Sequence, residues 1–212
     1  MARSLSMSEL VLVGRSSSHF TRTARIFAIE LGVPHTFRPV LDIMSLDQST
    51  FADNPALKIP ILVDERGPLF GTENICRELV RRSKKEATVV MRGDSSDRLV
   101  ANMEELTLHV MSSGVVLITA KLSGDSRPPP PKALRSIENC LGYLDENVER
   151  LLAVLPTDRV LSFVEVALYC VVTHLPFRQI IEVDAWRRLG DFCRRFGERE
   201  GARSTEYRFD AK

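Results

Sequence analysis

The sequence predicts two different folding units in one chain, an α/β sandwich followed by an all-α helical bundle. Through the first eighty residues, short apolar runs of strand length alternate with runs of helical period. After about residue 85 strand-like runs vanish and only long helical periods remain. Size agrees, because 212 residues, 44% of them apolar, suffice for one large domain or two small ones with buried cores.

In the first unit LVLVG (10–14) is a continuous apolar run closed by glycine, as in a buried strand. TRTARIFAIELGV follows, with Ala24, Phe27, Ala28 and Leu31 at helical spacing and Gly32 at the stop. HTFRPVLD and KIPILVDE read as the second and third strands, with a poorly defined link between them. GPLFG reads as a short fourth strand and TENICRELVRR as a helix with Ile75, Leu79 and Val80 on one face. RRSKKE (81–86) reads as a solvated link, and the expected boundaries are 1–83, a linker over 84–94, and 95–212.

The second unit offers four helices: SSDRLVANMEELTLHVMSSGVVLITAKL, ALRSIENCLGYLDENVERLLAVL, SFVEVALYCVVTHL and DAWRRLGDFCRRFGERE. RPPPP (127–131) breaks the bundle between the first two, because proline cannot continue a helix. The third helix is apolar nearly all round and is expected at the centre of the unit. Ser162 and Glu165 stand at capping-box spacing, the hydroxyl taking an orphan N–H and the carboxylate reaching back to the cap.

Composition excludes several function classes. The net charge of +1, from 29 basic and 28 acidic residues, supplies no global attraction to nucleic acid or an anionic membrane. No apolar run approaches the length of a bilayer span, and MARSLSMSELVLVG lacks the features of a signal peptide, so the expected location is cytoplasmic. Cys76, Cys140, Cys170 and Cys193 are widely spaced among apolar residues; they read as reduced core side chains, and no metal site is expected.

GRSSSHFTR (14–22) lies between the first strand and the first helix. Its serines are either a surface turn with a helix cap or hydroxyls held where a helix N-terminus attracts an anion. His19 reads as a solvent-facing loop residue.

Three stretches, NPALKIPILVD (54–64), SFVEVALY (162–169) and the tail DAWRRLGDFCRRFGEREGARSTEYRFD, occur in the order of, and resemble, segments of the cytosolic glutathione S-transferase family, bacterial members included. The resemblance implies an N-terminal thioredoxin-like domain, a C-terminal helical bundle domain and glutathione as co-substrate. It implies a cis Ile59–Pro60 bond, against the roughly 5% frequency of cis X–Pro in folded proteins, with the main chain of Ile59 meeting the cysteinyl part of glutathione. Lys58 stands either near the glycyl carboxylate of glutathione or free in solvent.

Aligning Phe20 and Arg25 with the family's first helix puts Ser18 on the catalytic position, with Ser17 and Ser16 just before it. The required species is a thiolate, since a thiol of pKa about 8.5 is mostly protonated at neutral pH. A serine hydroxyl donates a hydrogen bond to that sulfur without forming a mixed disulfide, which favours addition, substitution or peroxide reduction. The other reading of Ser18 is a plain helix cap.

The family's second contact, an acid or Gln followed by Ser or Thr, falls in GTENICREL. Matching Gly71–Thr72 to it puts Ile75 and Leu79 on the core face, whereas matching Glu73–Asn74 would bury Arg77 and Arg81. Gly71 then stands in the acid's place, Thr72 keeps the cap and can bind a carboxylate, and Glu73 either stabilises the helix start or makes a displaced contact to the glutathione amine.

The function expected from the resemblance is a glutathione transferase, with Ser18 catalytic and Ser17, Lys58, Ile59, Pro60, Thr72 and Glu73 binding glutathione. A small hydrophobic electrophile would lie against the helix from Arg98 to Leu122, where Met111 and Val115 serve as lining or as core. A homodimer is expected by analogy, with no nucleic-acid or membrane partner. The rival is a non-catalytic binding or scaffold module that has lost full glutathione recognition. A glutathione-dependent reductase or isomerase is weaker, for no cysteine lies near the first helix.

Overall fold

The computed structural model describes residues 10–124 and 127–211. Residues 1–9, over which no leader was expected, lie outside the described residues. The chain divides into two compact units: the described residues of Met1–Lys85 with Arg208–Lys212, and Glu86–Tyr207. The described residues 208–211 thus go to the first unit, not to the helical one.

The first unit runs β1 (Val11–Gly14), α1 (His19–Glu30), β2 (Thr36–Pro39), a 3-10 turn (Gln48–Phe51), β3 (Ile61–Asp64), β4 (Gly67–Phe70) and α2 (Thr72–Arg82). The sheet order is β2-β1-β3-β4, with β2 parallel to β1 and the other pairs antiparallel, the thioredoxin-like arrangement. A parallel neighbour needs a crossover, which α1 provides, whereas β3 and β4 join through a tight turn. The strand pleat sends Val13 and Ile61 to one face, where they pack with Val40 and Phe51. Their neighbours Leu12 and Leu62 are buried on the opposite face, and α1 and α2 pack side by side.

Differences from the sequence reading are local. α1 begins at His19, two residues before the expected start, because Ser18 caps it. The poorly defined link holds the 3-10 turn that buries Phe51 at 0% exposure; one turn is too short to show a period. RRSKKE is not a solvated link throughout: Arg81 and Arg82 end α2 and pair with Glu78, and Lys85 Nζ donates to the Glu30 carbonyl at 2.7 Å.

The second unit contains α3 (Arg98–Leu122), α4 (Pro131–Val154), α5 (Phe163–Phe177), α6 (Arg187–Gly197) and α7 (Glu200–Ser204). It also contains two strands, β5 (Thr88–Val90) and β6 (Arg159–Ser162), paired in parallel, contrary to the expectation that strands end near residue 85 and that 84–94 is only a linker. Strands of three and four residues show no usable alternation, and their pairing spans seventy residues, so only tertiary contact creates them.

α5 is the buried centre as expected, and Ser162 Oγ accepts the Glu165 N–H at 3.2 Å. The Glu165 carboxylate does not reach the cap's N–H. It accepts the Ser162 hydroxyl at 2.6 Å and both arms of Arg159 at 2.7 and 2.9 Å. That fork is a stronger, charge-assisted partner than a single N–H.

Pro131 occupies the first turn of α4, where a missing N–H costs nothing. α3 is long and apolar enough by length and composition to cross a membrane, which the reading of the sequence did not allow; here it packs on α4 and α5. Met111 is core, but Val115 is exposed. Cys76, Cys140 and Cys170 are buried and Cys193 is half-buried, all four as free thiols.

Candidate functional site

Strand register brings three chain corners of the first unit to one end of the sheet. Val13 pairs with Ile61, and Ile61 pairs with Phe70. The serine turn after β1, the Ile59–Pro60 segment before β3 and the start of α2 after β4 therefore leave the sheet at the same end, on adjacent strands. Two helix N-termini flank the segment that enters β3, an arrangement suited to an anionic ligand.

At the first corner Arg15–Ser18 forms a turn closed by the Ser18 N–H to the Arg15 carbonyl at 3.1 Å. Ser18 is the N-cap of α1, with extended backbone, and its Oγ accepts the Thr21 N–H at 3.3 Å. Accepting leaves the hydroxyl proton available for another acceptor. Thr21 braces the turn a second time, because its Oγ1 accepts the Arg15 N–H at 3.3 Å. Ser16 and Ser17 are 2% and 5% exposed, whereas Ser18 is half-buried. Of the three hydroxyls, Ser18 is the one presented outward. His19 is 1% exposed and tilted against Phe20 at 4.6 Å between centroids, so it is a packed residue and not the expected loop histidine. As the first residue of α1, its ring turns inward with the buried face of the helix.

At the second corner the Ile59–Pro60 bond is cis. Pro60 is buried, Ile59 is half-buried, and Lys58 is exposed. Asn54, buried, holds this loop: its Nδ2 donates to the Lys58 carbonyl at 2.8 Å and its Oδ1 accepts the Ala56 N–H at 3.0 Å. The sequence reading passed over Asn54; the only signal was an Asn-Pro pair ahead of the strand.

At the third corner Ile75 and Leu79 are buried, as the Gly71–Thr72 register requires. The N-cap of α2 is Gly71, at φ +89°, and no side chain caps the helix; Thr72 is its first helical residue and does not cap it. The reason is geometric, since a positive φ places the half-in residue one position earlier, where glycine is at ease. The Glu73 carboxylate is held within its helix by Arg77 at 3.0 Å, as a helix-start acid with an i, i+4 partner.

Acids are few at the starts of the two helices. α1 has no acid in its first turn and α2 has only Glu73. Arg25, stacked on the Phe37 ring at 4.4 Å, has its pKa lowered by burial and by the charges of Arg208 and Arg22, against a raising influence of Asp210. No group of three or more His, Cys, Asp or Glu suited to a metal occurs among the described residues.

Comparison with known proteins agrees with this geometry. Residues 12–87 match the family model described as Glutathione S-transferase, N-terminal domain. No curated protein sequence matches the chain. Among solved structures, a glutathione S-transferase from Methylobacillus flagellatus KT with GSH bound is 20% identical over 94% of this chain and 100% of its own, with a TM-score of 0.74. A glutathione transferase family member from Pseudomonas fluorescens Pf-5 with bound glutathione gives the same values. A Tau-class enzyme from mango is 15% identical over 94% and 93%, with a TM-score of 0.71. Residues 12–87 thus resemble the N-terminal domain of glutathione S-transferases, and the chain as a whole has the fold of the solved glutathione transferases.

Proposed function

We propose that the protein is a glutathione transferase that activates the glutathione thiol for attack on a small hydrophobic electrophile or a peroxide. The observation that carries this reading is the Ser18 hydroxyl, which accepts from Thr21 N–H and so keeps its own proton to donate. Glutathione would lie along the entry to β3, its cysteinyl backbone against Ile59 and its γ-glutamyl carboxylate at the first turn of α2, where Thr72 lies. The thiol proton leaves to solvent, and the Ser18 O–H and the N-terminal end of α1 stabilise the sulfur anion. The thiolate then forms a bond to the electrophilic carbon as the leaving group departs with its electron pair. The proposal includes a cytoplasmic homodimer, on the resemblance to the family.

A second reading is favoured by the α2 corner, where Gly71 has no side chain and Glu73 is engaged by Arg77. On that reading the fold persists as a binding module without full glutathione recognition. Calorimetric titration separates the two, and absence of binding at millimolar glutathione would sink the enzyme reading. If glutathione binds, conjugation of a simple aryl halide is expected to fall about ten- to a thousandfold in Ser18→Ala. Unchanged activity there would move the role to the main chain or to another serine.

A further inference from the structure

We propose that Asp210, the third-last residue of the sequence, is a positioning residue for Ser18. Its carboxylate accepts the Ser16 N–H at 2.9 Å, across 194 residues of sequence. Three further contacts that fix the corner are local: Arg15 N–H goes to Thr21 Oγ1, Ser18 N–H to the Arg15 carbonyl, and Thr21 N–H to Ser18 Oγ. Asp210 holds this turn from far along the chain.

Several observations place it there by construction. The chain leaves the second unit at Tyr207, whose hydroxyl donates to the Cys170 carbonyl at 2.6 Å, and the described residues 208–211 join the first unit. The Ser16 side chain is buried and its Oγ has no partner, so the position of Ser16 depends on its main chain. The charge of Asp210 also favours the cation of half-buried Arg25 in α1, where Arg22 and Arg208 oppose it. The carboxylate therefore tethers the turn before Ser18 through the Ser16 main chain. A main-chain tether at Ser16 limits the travel of Ser18 two residues on, and misplacement of a reacting group by about 1 Å can cost a hundredfold in rate.

The catalytic part of this inference rests on the transferase reading. Three variants test it: Asp210→Ala, Asp210→Asn, which keeps an acceptor oxygen, and a chain ending at Tyr207. Amide exchange at Ser16, followed by NMR without glutathione, is expected to speed up at least tenfold in Asp210→Ala and in the shortened chain, and less than threefold in Asp210→Asn. With glutathione and an aryl halide, Asp210→Ala is expected to lower kcat about tenfold while KM for glutathione changes less than twofold, and Asp210→Asn to restore most of kcat. Ser16 exchange unchanged in both Asp210→Ala and the shortened chain overturns the proposal, as does faster exchange with unaltered kcat. A wild-type chain that binds no glutathione while Ser16 exchange still responds sinks the transferase reading, and with it the catalytic part; the tether is then judged on exchange alone.

Discussion

Replacing Gly14 by alanine tests the packing that sets the serine corner. A Cβ there would stand 2.4 Å from Thr21 Cγ2 and 2.5 Å from its Oγ1, distances that real contacts do not show. Thr21 is fully buried, so its side chain has nowhere to swing. Something must shift, and the first turn of α1 is what can. Overpacking of this kind costs about 1–3 kcal/mol, and loss of the Arg15 N–H bond to Thr21 adds about 1 kcal/mol.

The total of about 2–4 kcal/mol corresponds to a fall in Tm of roughly 5–15 °C for a chain of this size. Conjugation activity should fall with it, because the Thr21 N–H holds Ser18 Oγ. Thr21→Ala alone should cost about 1–2 kcal/mol, for the lost hydrogen bond and methyl group. In the double variant the remaining Thr21 Cβ lies at 3.1 Å, a contact relieved by a few tenths of an ångström. The double variant should therefore be no less stable than Gly14→Ala, a coupling of about 1–3 kcal/mol. Urea and thermal unfolding followed by circular dichroism measure all four chains. Losses that simply add would refute the reasoning.

Glu165→Ala leaves the Arg159 guanidinium, 13% exposed, without its carboxylate; a loss of about 3–5 kcal/mol is expected. The double replacement Arg159→Met with Glu165→Leu should cost far less, and equal losses by urea titration would count against the account. Asp64 and Glu78 are both desolvated, which raises a carboxyl pKa, but Arg66 and Arg82 beside Asp64, with Arg81 added beside Glu78, outweigh this and hold both below the usual range. Stability from these groups is thus present in full above the unfolded pKa, about pH 4, and is lost as pH falls through the lower folded values. Arg82→Ala should destabilise by about 1–2 kcal/mol at pH 7 and progressively less as the two carboxylates are protonated below about pH 4; a loss independent of pH would show the pairing to be inert. Arg77→Ala releases the Glu73 carboxylate, and an unchanged glutathione affinity by calorimetry would confine Glu73 to a helix-start role, whereas tighter binding would make it a contact.

How much could be read in advance differs from one element to the next. The strand and helix order of the first unit, the long helices of the second and the Ile75 and Leu79 face of α2 follow from periodicity, a property each segment carries alone. Ser18 was identifiable because a capping hydroxyl is a local matter of a few residues. His19 was misread because one residue of helix start decides whether a ring faces solvent or core. The 3-10 turn at Phe51 and the short β5–β6 pair carry no period to read.

What the sequence by itself determined is therefore the strands and helices of the first unit, the long helices of the second, the family resemblance and Ser18 as a candidate cap, since these depend on neighbours within a turn or two. Tertiary structure alone decided that three corners share one end of the sheet, that Asn54 holds the loop before Pro60, and that Asp210 returns to Ser16. Each of these joins residues through space. Their energies come from register, close approach and burial, which exist only once the chain has closed on itself.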